Sequence, residues 1–295
     1  MPAVRFEVHQ PTSLEQALDL LSAHRSSVRV LAGGTDLVPK LRAGALEVQH
    51  LVSLARVPGL NRISFEEDDG LVIGAGTRLS DVARHPAVQE YYPALAHACA
   101  VMATPQVRNM GTVAGNLANA APSADTAAPL LAYDASLVVV ERGGRRQVKL
   151  REFWTGPGLQ VLEPWEIIEA IRVPSPPQRS GSCYQRISAR SQTDIAAVGV
   201  AAFLALDLEG RILKARLALA AVAPTPLRAE EAEAMLEGQL PEESLLMRAA
   251  AACVRASRPI DDLRASAAWR RKMVQVLAQR AIQESYRQAQ QGGER

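Results

Sequence analysis

The chain has 295 residues, enough to bury a substantial core and more naturally two domains than one. Hydrophobic residues make up 48% and charged residues 22%, an ordinary globular balance, and no apolar run approaches the roughly 18 residues a bilayer span needs. The formal net charge is only +2 and the basic residues, mostly Arg, are scattered, which argues against nucleic-acid binding.

Met1-Pro2-Ala3-Val4-Arg5-Phe6-Glu7 has no basic segment ahead of an apolar core, so no secretory signal is read and a cytoplasmic protein is expected. Thr12-Ser13-Leu14-Glu15 reads as a capping box, and Leu14, Ala17, Leu18 and Leu21 then recur at helical spacing. Val28 to Ala32 is a predicted strand. It runs into a first glycine-rich turn, Val30-Leu31-Ala32-Gly33-Gly34-Thr35-Asp36-Leu37, and Val48 to Leu54 is a second strand. The turn lacks the G-x-G-x-x-G spacing of the Rossmann fingerprint, which disfavours that fold. Leu71 to Gly74 is a short strand, Ser80 is expected to cap a helix through Ala83, and Pro93 to Met102 reads as a further helix.

Residues 104–133 are unusual, because only Arg108 and Asp125 are charged among Ala, Gly, Asn, Pro and Thr. A stretch of this kind predicts a buried loop whose polar backbone groups need partners, and a bound ligand is one way to supply them. Within it lies the second turn, Gly111-Thr112-Val113-Ala114-Gly115-Asn116. Leu137 to Val140, Gly143-Gly144, then Val148 and Leu150 form a hairpin with Arg142 to Arg146 at a solvated tip, and Ile167 to Val173 is a strand. Ser175 to Ser182 is the best linker, and the domain boundary is placed there, dividing 1–177 from 178–295. Beyond it come strands at Ala197 to Leu206 and Ile212 to Val222. Helices follow near 226–237, 242–256 and 264–288, with a frayed end from Gln290.

No nucleophile–His–acid arrangement is visible. His9, His24, His50, His85 and His97 show no metal-pair spacing, and Cys99, Cys183 and Cys253 form no CxxC, so surface or structural roles and inert thiols are expected, with no metal site. Either glycine turn alone could be a tight turn that exploits positive φ. Two of them, with the nearly uncharged segment, favour a diphosphate-containing cofactor held from two sides. Asp125 could cap a helix at Thr126 or accept hydrogen bonds from a polyol.

The wording of Leu31 to Leu37, of Thr104-Pro105-Gln106-Val107-Arg108-Asn109-Met110-Gly111-Thr112-Val113-Ala114-Gly115-Asn116, and of Pro122-Ser123-Ala124-Asp125 resembles the FAD-binding (medium) subunit of the molybdenum hydroxylases. This is the xanthine dehydrogenase and aerobic carbon monoxide dehydrogenase family. The likeness continues through Glu166 to Ile168, Tyr184 to Arg186, Arg190, Asp194 to Ala196 and Ala223 to Arg228. It implies an α+β fold. A para-cresol methylhydroxylase-type FAD-binding domain of two α/β subdomains would be followed by a small α+β domain with a short antiparallel sheet and three helices. By motif match Val30 to Leu37 would wrap the FAD diphosphate from one side and Gly111 to Asn116 from the other. Met102 would lie near the flavin ring, Asp125 would bind ribityl or ribose hydroxyls, Ile168 would contact the cofactor, and Arg186 stands where relatives often have Lys. Ala114 replaces a glycine common in relatives, a change that requires ordinary φ there.

The resemblance also implies partners. A large molybdenum-cofactor subunit and a small iron–sulfur (2Fe–2S) subunit would supply electrons, in a dimer of heterotrimers, and the acceptor would be NAD+, a quinone or oxygen. The alternatives are a stand-alone FAD oxidoreductase, for which no acid or base over the flavin is evident, and a nucleotide-binding assembly protein without redox function.

Overall fold

The structure is a computed structural model that describes residues 6–191 and 193–292; Met1–Arg5, Gln192 and Gly293–Arg295 lie outside it. The signal-peptide reading of Met1 to Glu7 therefore falls mostly outside the described residues, as does the last part of the expected frayed end.

The first unit is a parallel sheet in the order β1-β3-β2, built from β1 (Glu7–His9), β2 (Val28–Leu31) and β3 (His50–Ser53). Helices α1 (Leu14–His24) and α2 (Leu37–Arg42) make the crossovers. The capping box is shifted one residue from its expected place. Ser13 is the N-cap and accepts from Gln16 N–H at 3.1 Å, while Gln16 Oε1 accepts from Thr12 N–H at 2.9 Å. Ala17, Leu18 and Leu21 then face Val28 and Val52 of the sheet.

The second unit is an antiparallel sheet in the order β4-β5-β10-β6-β7. Its strands are β4 (Ile63–Glu66), β5 (Gly70–Gly74), β6 (Ser136–Glu141), β7 (Gly144–Lys149) and, after the small β8 (Trp154–Gly156) and β9 (Leu159–Gln160) pair, β10 (Ile167–Val173). Between β5 and β6 run six helices: α3 (Leu79–Arg84), α4 (Pro86–Tyr91), α5 (Pro93–Val101), α6 (Pro105–Arg108), α7 (Val113–Ala118) and α8 (Ala127–Ala132). Ser80 lies inside α3, whose N-cap is Arg78, so it is not the predicted cap. The uncharged segment is a chain of short helices and not a loop. α8 is buried along its whole length, which its Ala and Leu composition permits.

The third unit is an antiparallel sheet in the order β11-β12-β13-β14, from β11 (Ser180–Ser188), β12 (Ala196–Leu206), β13 (Ile212–Ala220) and β14 (Leu227–Arg228). Helices α9 (Glu230–Leu236), α10 (Glu243–Ala256) and α11 (Ala267–Gln291) follow. β11 starts inside the predicted linker because Gly181 and Ser182 are small enough to pack against α11 and α5; Ser182 Oγ accepts from Ala94 N–H at 3.3 Å. The helix expected from 226 starts at Glu230 because Leu227 and Arg228 pair with β13, and the Arg228 guanidinium closes on Glu233 at 2.6 Å. α11 runs on to Gln291, so Gln290 is helical and not frayed.

Both faces of this last sheet are covered, and every residue of β12 is buried. Val198, Val200, Ala202, Leu204 and Leu206 join the core beneath α9, α10 and α11. The alternate residues Ala201, Phe203 and Ala205 join the core of the second unit, against which α8 packs. At roughly 1.5–3 kcal/mol per fully buried large aliphatic or aromatic side chain, this two-sided burial welds the halves together. No helix among the described residues is long and apolar enough to cross a membrane.

Arg270 of α11 is buried, and its Nη1 donates to the carbonyls of Ala197 at 2.8 Å and Ala221 at 2.9 Å, while its Nη2 reaches Asp262 Oδ1 at 2.6 Å. Burial pushes the Asp262 carboxyl up, but the Arg264 N–H, the Arg270 guanidinium and the Ala265 N–H outweigh it and hold the group at about 2. A depressed carboxylate contributes stability that is present above its unfolded value and lost as pH falls through the folded one. Asp262→Asn should therefore cost about 1 kcal/mol at pH 7 in urea unfolding, solvent screening of this exposed carboxylate reducing the effect, with the difference from wild type vanishing between about pH 4 and pH 2. An equal cost at pH 7 and pH 2 would remove Asp262 from this role.

Candidate functional site

The two glycine turns meet. β2 ends at Leu31 and the chain turns through Ala32, Gly33 and Gly34, the last with φ +71°, before α2 begins at Leu37. A Cβ on Gly33 would stand 2.1 Å from the Met110 carbonyl oxygen and 2.7 Å from Gly111 Cα. Glycine is required there because backbone lies against backbone. Gly111 is fixed in turn by its N–H to Val107 O at 2.7 Å and by its carbonyl, which accepts from Leu79 N–H at 2.9 Å. Thr112 caps α7, and its hydroxyl oxygen accepts from Gly115 N–H at 3.0 Å, which leaves the hydroxyl proton to donate elsewhere. Val113 and Ala114 lie buried inside α7, where a methyl group needs no unusual φ.

Polar side chains lock the turns in register. Asp36 Oδ1 accepts from Asn119 Nδ2 at 3.1 Å, and Lys40 Nζ donates to Asn119 Oδ1 at 2.7 Å. Asn116 Oδ1 accepts from the Thr126 hydroxyl at 2.6 Å, which ties α7 to the start of α8. The N–H groups of Gly33, Gly34 and Thr35 make no backbone hydrogen bond among the described residues. Backbone donors in a glycine turn suit a phosphate or diphosphate, so this donor set fits the diphosphate of FAD.

Asp125 does not cap α8, whose N-cap is Thr126, a residue that makes no side-chain capping bond to the helix. It faces the third unit instead. Tyr184 donates to Asp125 Oδ1 at 2.7 Å, and Arg186 Nε stands 3.0 Å from the same oxygen, with both side chains of the ion pair only 8% exposed. Gly199 makes room for this contact, since a Cβ there would lie 2.8 Å from the Tyr184 hydroxyl. Burial pushes the Asp125 carboxyl above its ordinary range, and the Arg186 guanidinium and the Tyr184 hydroxyl offset part of that rise. Arg186 Nη1 also donates to the Val101 carbonyl at 3.2 Å, next to Met102. Asp125, Tyr184 and Arg186 thus form one group, which reaches the Val101 carbonyl one residue before Met102, and the glycine turns form another. Ile168 lies on β10 beside a register shift between Ile168 and Ala170, on the strand that α7 touches.

Three features carried no signal in the sequence. Ala103, Ala120 and Ala221 adopt φ of +49°, +52° and +65° around this region. Left-handed alanine costs roughly 1 kcal/mol and is held only where surrounding contacts over-determine it. Arg108 holds the first by donating to the Met102 and Ala103 carbonyls at 3.0 and 2.8 Å. Pro122 O holds the third by accepting from Ala221 N–H at 2.7 Å. The second feature is His97 on α5, where burial and then the Arg186 guanidinium lower the imidazole's pKa. The third is Cys99, a buried thiol that burial and the Asp125 charge keep protonated.

A parallel subdomain, an antiparallel one and a covered third sheet, with two glycine turns in backbone contact, define a two-part FAD-binding flavoprotein. The model of the FAD binding domain in molybdopterin dehydrogenase matches residues 4–176, and that of the CO dehydrogenase flavoprotein C-terminal domain matches 183–285. The chain is 35% identical over 278 residues to the carbon monoxide dehydrogenase medium chain of Hydrogenophaga pseudoflava, covering 94% of this chain and 96% of that one. It is 34% identical over 278 residues to the putative xanthine dehydrogenase FAD-binding subunit XdhB of Escherichia coli K12, covering 94% of each. Carbon monoxide dehydrogenase from H. pseudoflava superposes with a TM-score of 0.92 at 35% identity, covering 97% of this chain and 99% of that chain. Quinoline 2-oxidoreductase from Pseudomonas putida 86 gives 0.90 at 28% identity, covering 98% and 99%. The chain belongs to the FAD-binding subunit family of the molybdenum hydroxylases. Its cofactor is FAD, and it is a flavoprotein component of an oxidoreductase.

Two outcomes test this geometry. Gly33→Ala should weaken FAD retention by about 10–100-fold, equivalent to roughly 1.4–2.8 kcal/mol, read by flavin absorbance of protein whose circular dichroism is unchanged. Full retention would mean that the turns need not touch. Asp125→Ala and Arg186→Ala, singly and together, should be non-additive in urea unfolding by about 1–3 kcal/mol, because either change alone strands a buried charge. Simple additivity would show that the pair does not couple the halves.

Proposed function

We propose that this chain is the electron-transfer subunit of a multi-subunit molybdenum hydroxylase, taking electrons from a small 2Fe–2S partner and passing them to NAD+, a quinone or oxygen. A large partner would carry the molybdenum cofactor and transform the substrate, and the assembly would be a dimer of heterotrimers in the cytoplasm. The observation that carries this reading is the backbone contact between Gly33 and Met110–Gly111, which brings together two glycine turns with backbone N–H groups available to a diphosphate. FAD, when bound, supplies the ability to take electrons singly and release them in pairs.

The protein's own residues bind and orient. In this proposal Val30 to Leu37 wrap one side of the diphosphate and Gly111 to Asn116 the other, with Thr112 donating its free hydroxyl proton. Asp125 accepts from ribityl or ribose hydroxyls while the Arg186 guanidinium holds it in place, and Met102 and Ile168 pack against the ring system. Residues 1–177 form the FAD-binding domain of two subdomains and 178–295 a second domain that closes over Asp125.

The test is co-expression of this chain with the two neighbouring subunits, followed by steady-state assay of the purified assembly with NAD+, a quinone and oxygen. One acceptor should be reduced at a rate that falls by about 10-fold or more with Gly33→Ala, while a dye that accepts directly from the iron–sulfur partner is still reduced. Purification of the chain as a yellow monomer that turns over a substrate unaided would favour a stand-alone oxidoreductase and overturn the proposal.

A further inference from the structure

Away from the glycine turns, the parallel sheet collects three histidines that no spacing in the sequence joins. β1 pairs with β3 so that Glu7 stands opposite His50, and His9, two residues further along β1, lies on the same face. α1 packs over that face through Ala17, Leu18 and Leu21 and delivers His24, its last residue. His9 Nε2 lies 3.1 Å from His50 Nδ1, and the His24 and His50 rings stack with centroids 3.6 Å apart. One nitrogen from each of the three falls within 4.8 Å of the others. Glu7 completes the group, its carboxylate oxygens 3.8 Å from His9 Nδ1 and 3.7 Å from His50 Nδ1.

We infer that His9, His24 and His50 form a zinc(II) site, with the Glu7 carboxylate or a water as the fourth ligand. Three neutral imidazoles and a carboxylate make an N3O set of borderline softness, the kind that binds zinc in tetrahedral geometry. Zinc–nitrogen bonds of about 2.0–2.1 Å place tetrahedral ligand atoms about 3.4 Å apart. The His9–His50 separation of 3.1 Å is already close to that value, and side-chain rotation of His24 closes the rest. The His9 and His50 side chains are only 16% and 19% exposed, so ligand positions are restricted by packing and little ordering remains to be done on binding.

The site is separate from the cofactor cradle. His50 and its partner Val28 open β3 and β2, whereas the glycine turn follows the carboxyl end of β2. A metal here would tie β1, a three-residue edge strand, to β3 and to the end of α1. Its role is structural, and the inference does not depend on the electron-transfer proposal.

Tag-free, FAD-loaded protein titrated with zinc(II) against a competing chelator, and with cobalt(II) followed by visible absorption, tests the site. One equivalent should bind per chain with a tetrahedral cobalt spectrum, and His50→Ala should weaken binding at least about tenfold while flavin absorbance stays unchanged. His24→Gln, at the end of a helix, provides the same comparison if the strand variant fails to fold. No saturable binding, or equal affinity in wild type and both variants, would overturn the site. Loss of flavin alone would instead bear on the cofactor cradle.

Discussion

The approach of Gly33 to the Met110–Gly111 backbone is the contact on which the rest of the molecule depends. It is the place where the parallel and antiparallel subdomains touch through main chain, with no side chain between them. A glycine there gives up roughly 0.5–1 kcal/mol of unfolded-state entropy relative to alanine, a small loss beside the clash a methyl would create. Everything nearby holds the two turns at that separation. Asn119 bridges Asp36 and Lys40, Thr126 holds Asn116, and Leu79 holds Gly111. Two rigid turns at fixed spacing can present backbone donors to a diphosphate without rearranging, which is how binding avoids an ordering cost.

The third sheet solves a second problem, how to seal the uncharged helical segment without a large greasy surface. β12 places Ala201, Phe203 and Ala205 on one face and Val198, Val200, Leu204 and Leu206 on the other. The smaller side chains let α8 and the sheet approach closely, and the larger ones fill the space beneath α10 and α11. Across this seam the Asp125–Arg186 pair is nearly dry. Such a pair adds little net stability over a hydrophobic replacement, but loss of either member leaves a buried charge. Its value lies in specifying how the halves dock, and it holds Asp125 in one orientation while Arg186 also reaches the Val101 carbonyl.

Much of this was legible in the residues. The glycine turns, the helix of Leu14 to His24, the hairpin at Arg142 and Gly143, the strand at Ala197 to Leu206 and the last helix near 264–288 follow from periodicity and turn chemistry. What escaped was set by contacts distant in sequence. β11 looks like a linker until Ser182 and Gly181 are seen packed between α5 and α11. Asp125 reads either as a helix cap or as a polyol acceptor, because its protein partners, Tyr184 and Arg186, lie on another sheet. Ala103, Ala120 and Ala221 carry no mark of positive φ, since alanine reaches that region only under tertiary compulsion. The three histidines are joined by strand register and helix direction, neither of which spacing can show.

The titratable groups around Asp125 are buried, paired or biased toward their neutral forms. Cys99 and Tyr184 are buried and held in their neutral forms, Asp125 is committed to Arg186, and His97 is biased toward neutral imidazole by desolvation and then by that same guanidinium. Around Asp125 this leaves a single buried paired charge among groups biased toward neutrality. For a flavoprotein subunit that is the useful arrangement, because the potential of a bound flavin is tuned by nearby charge and hydrogen bonds, and a titrating neighbour would make it drift with pH. The constraint these contacts place on the chain is geometric: two turns in backbone contact and one sealed seam across which Asp125 and Arg186 pair.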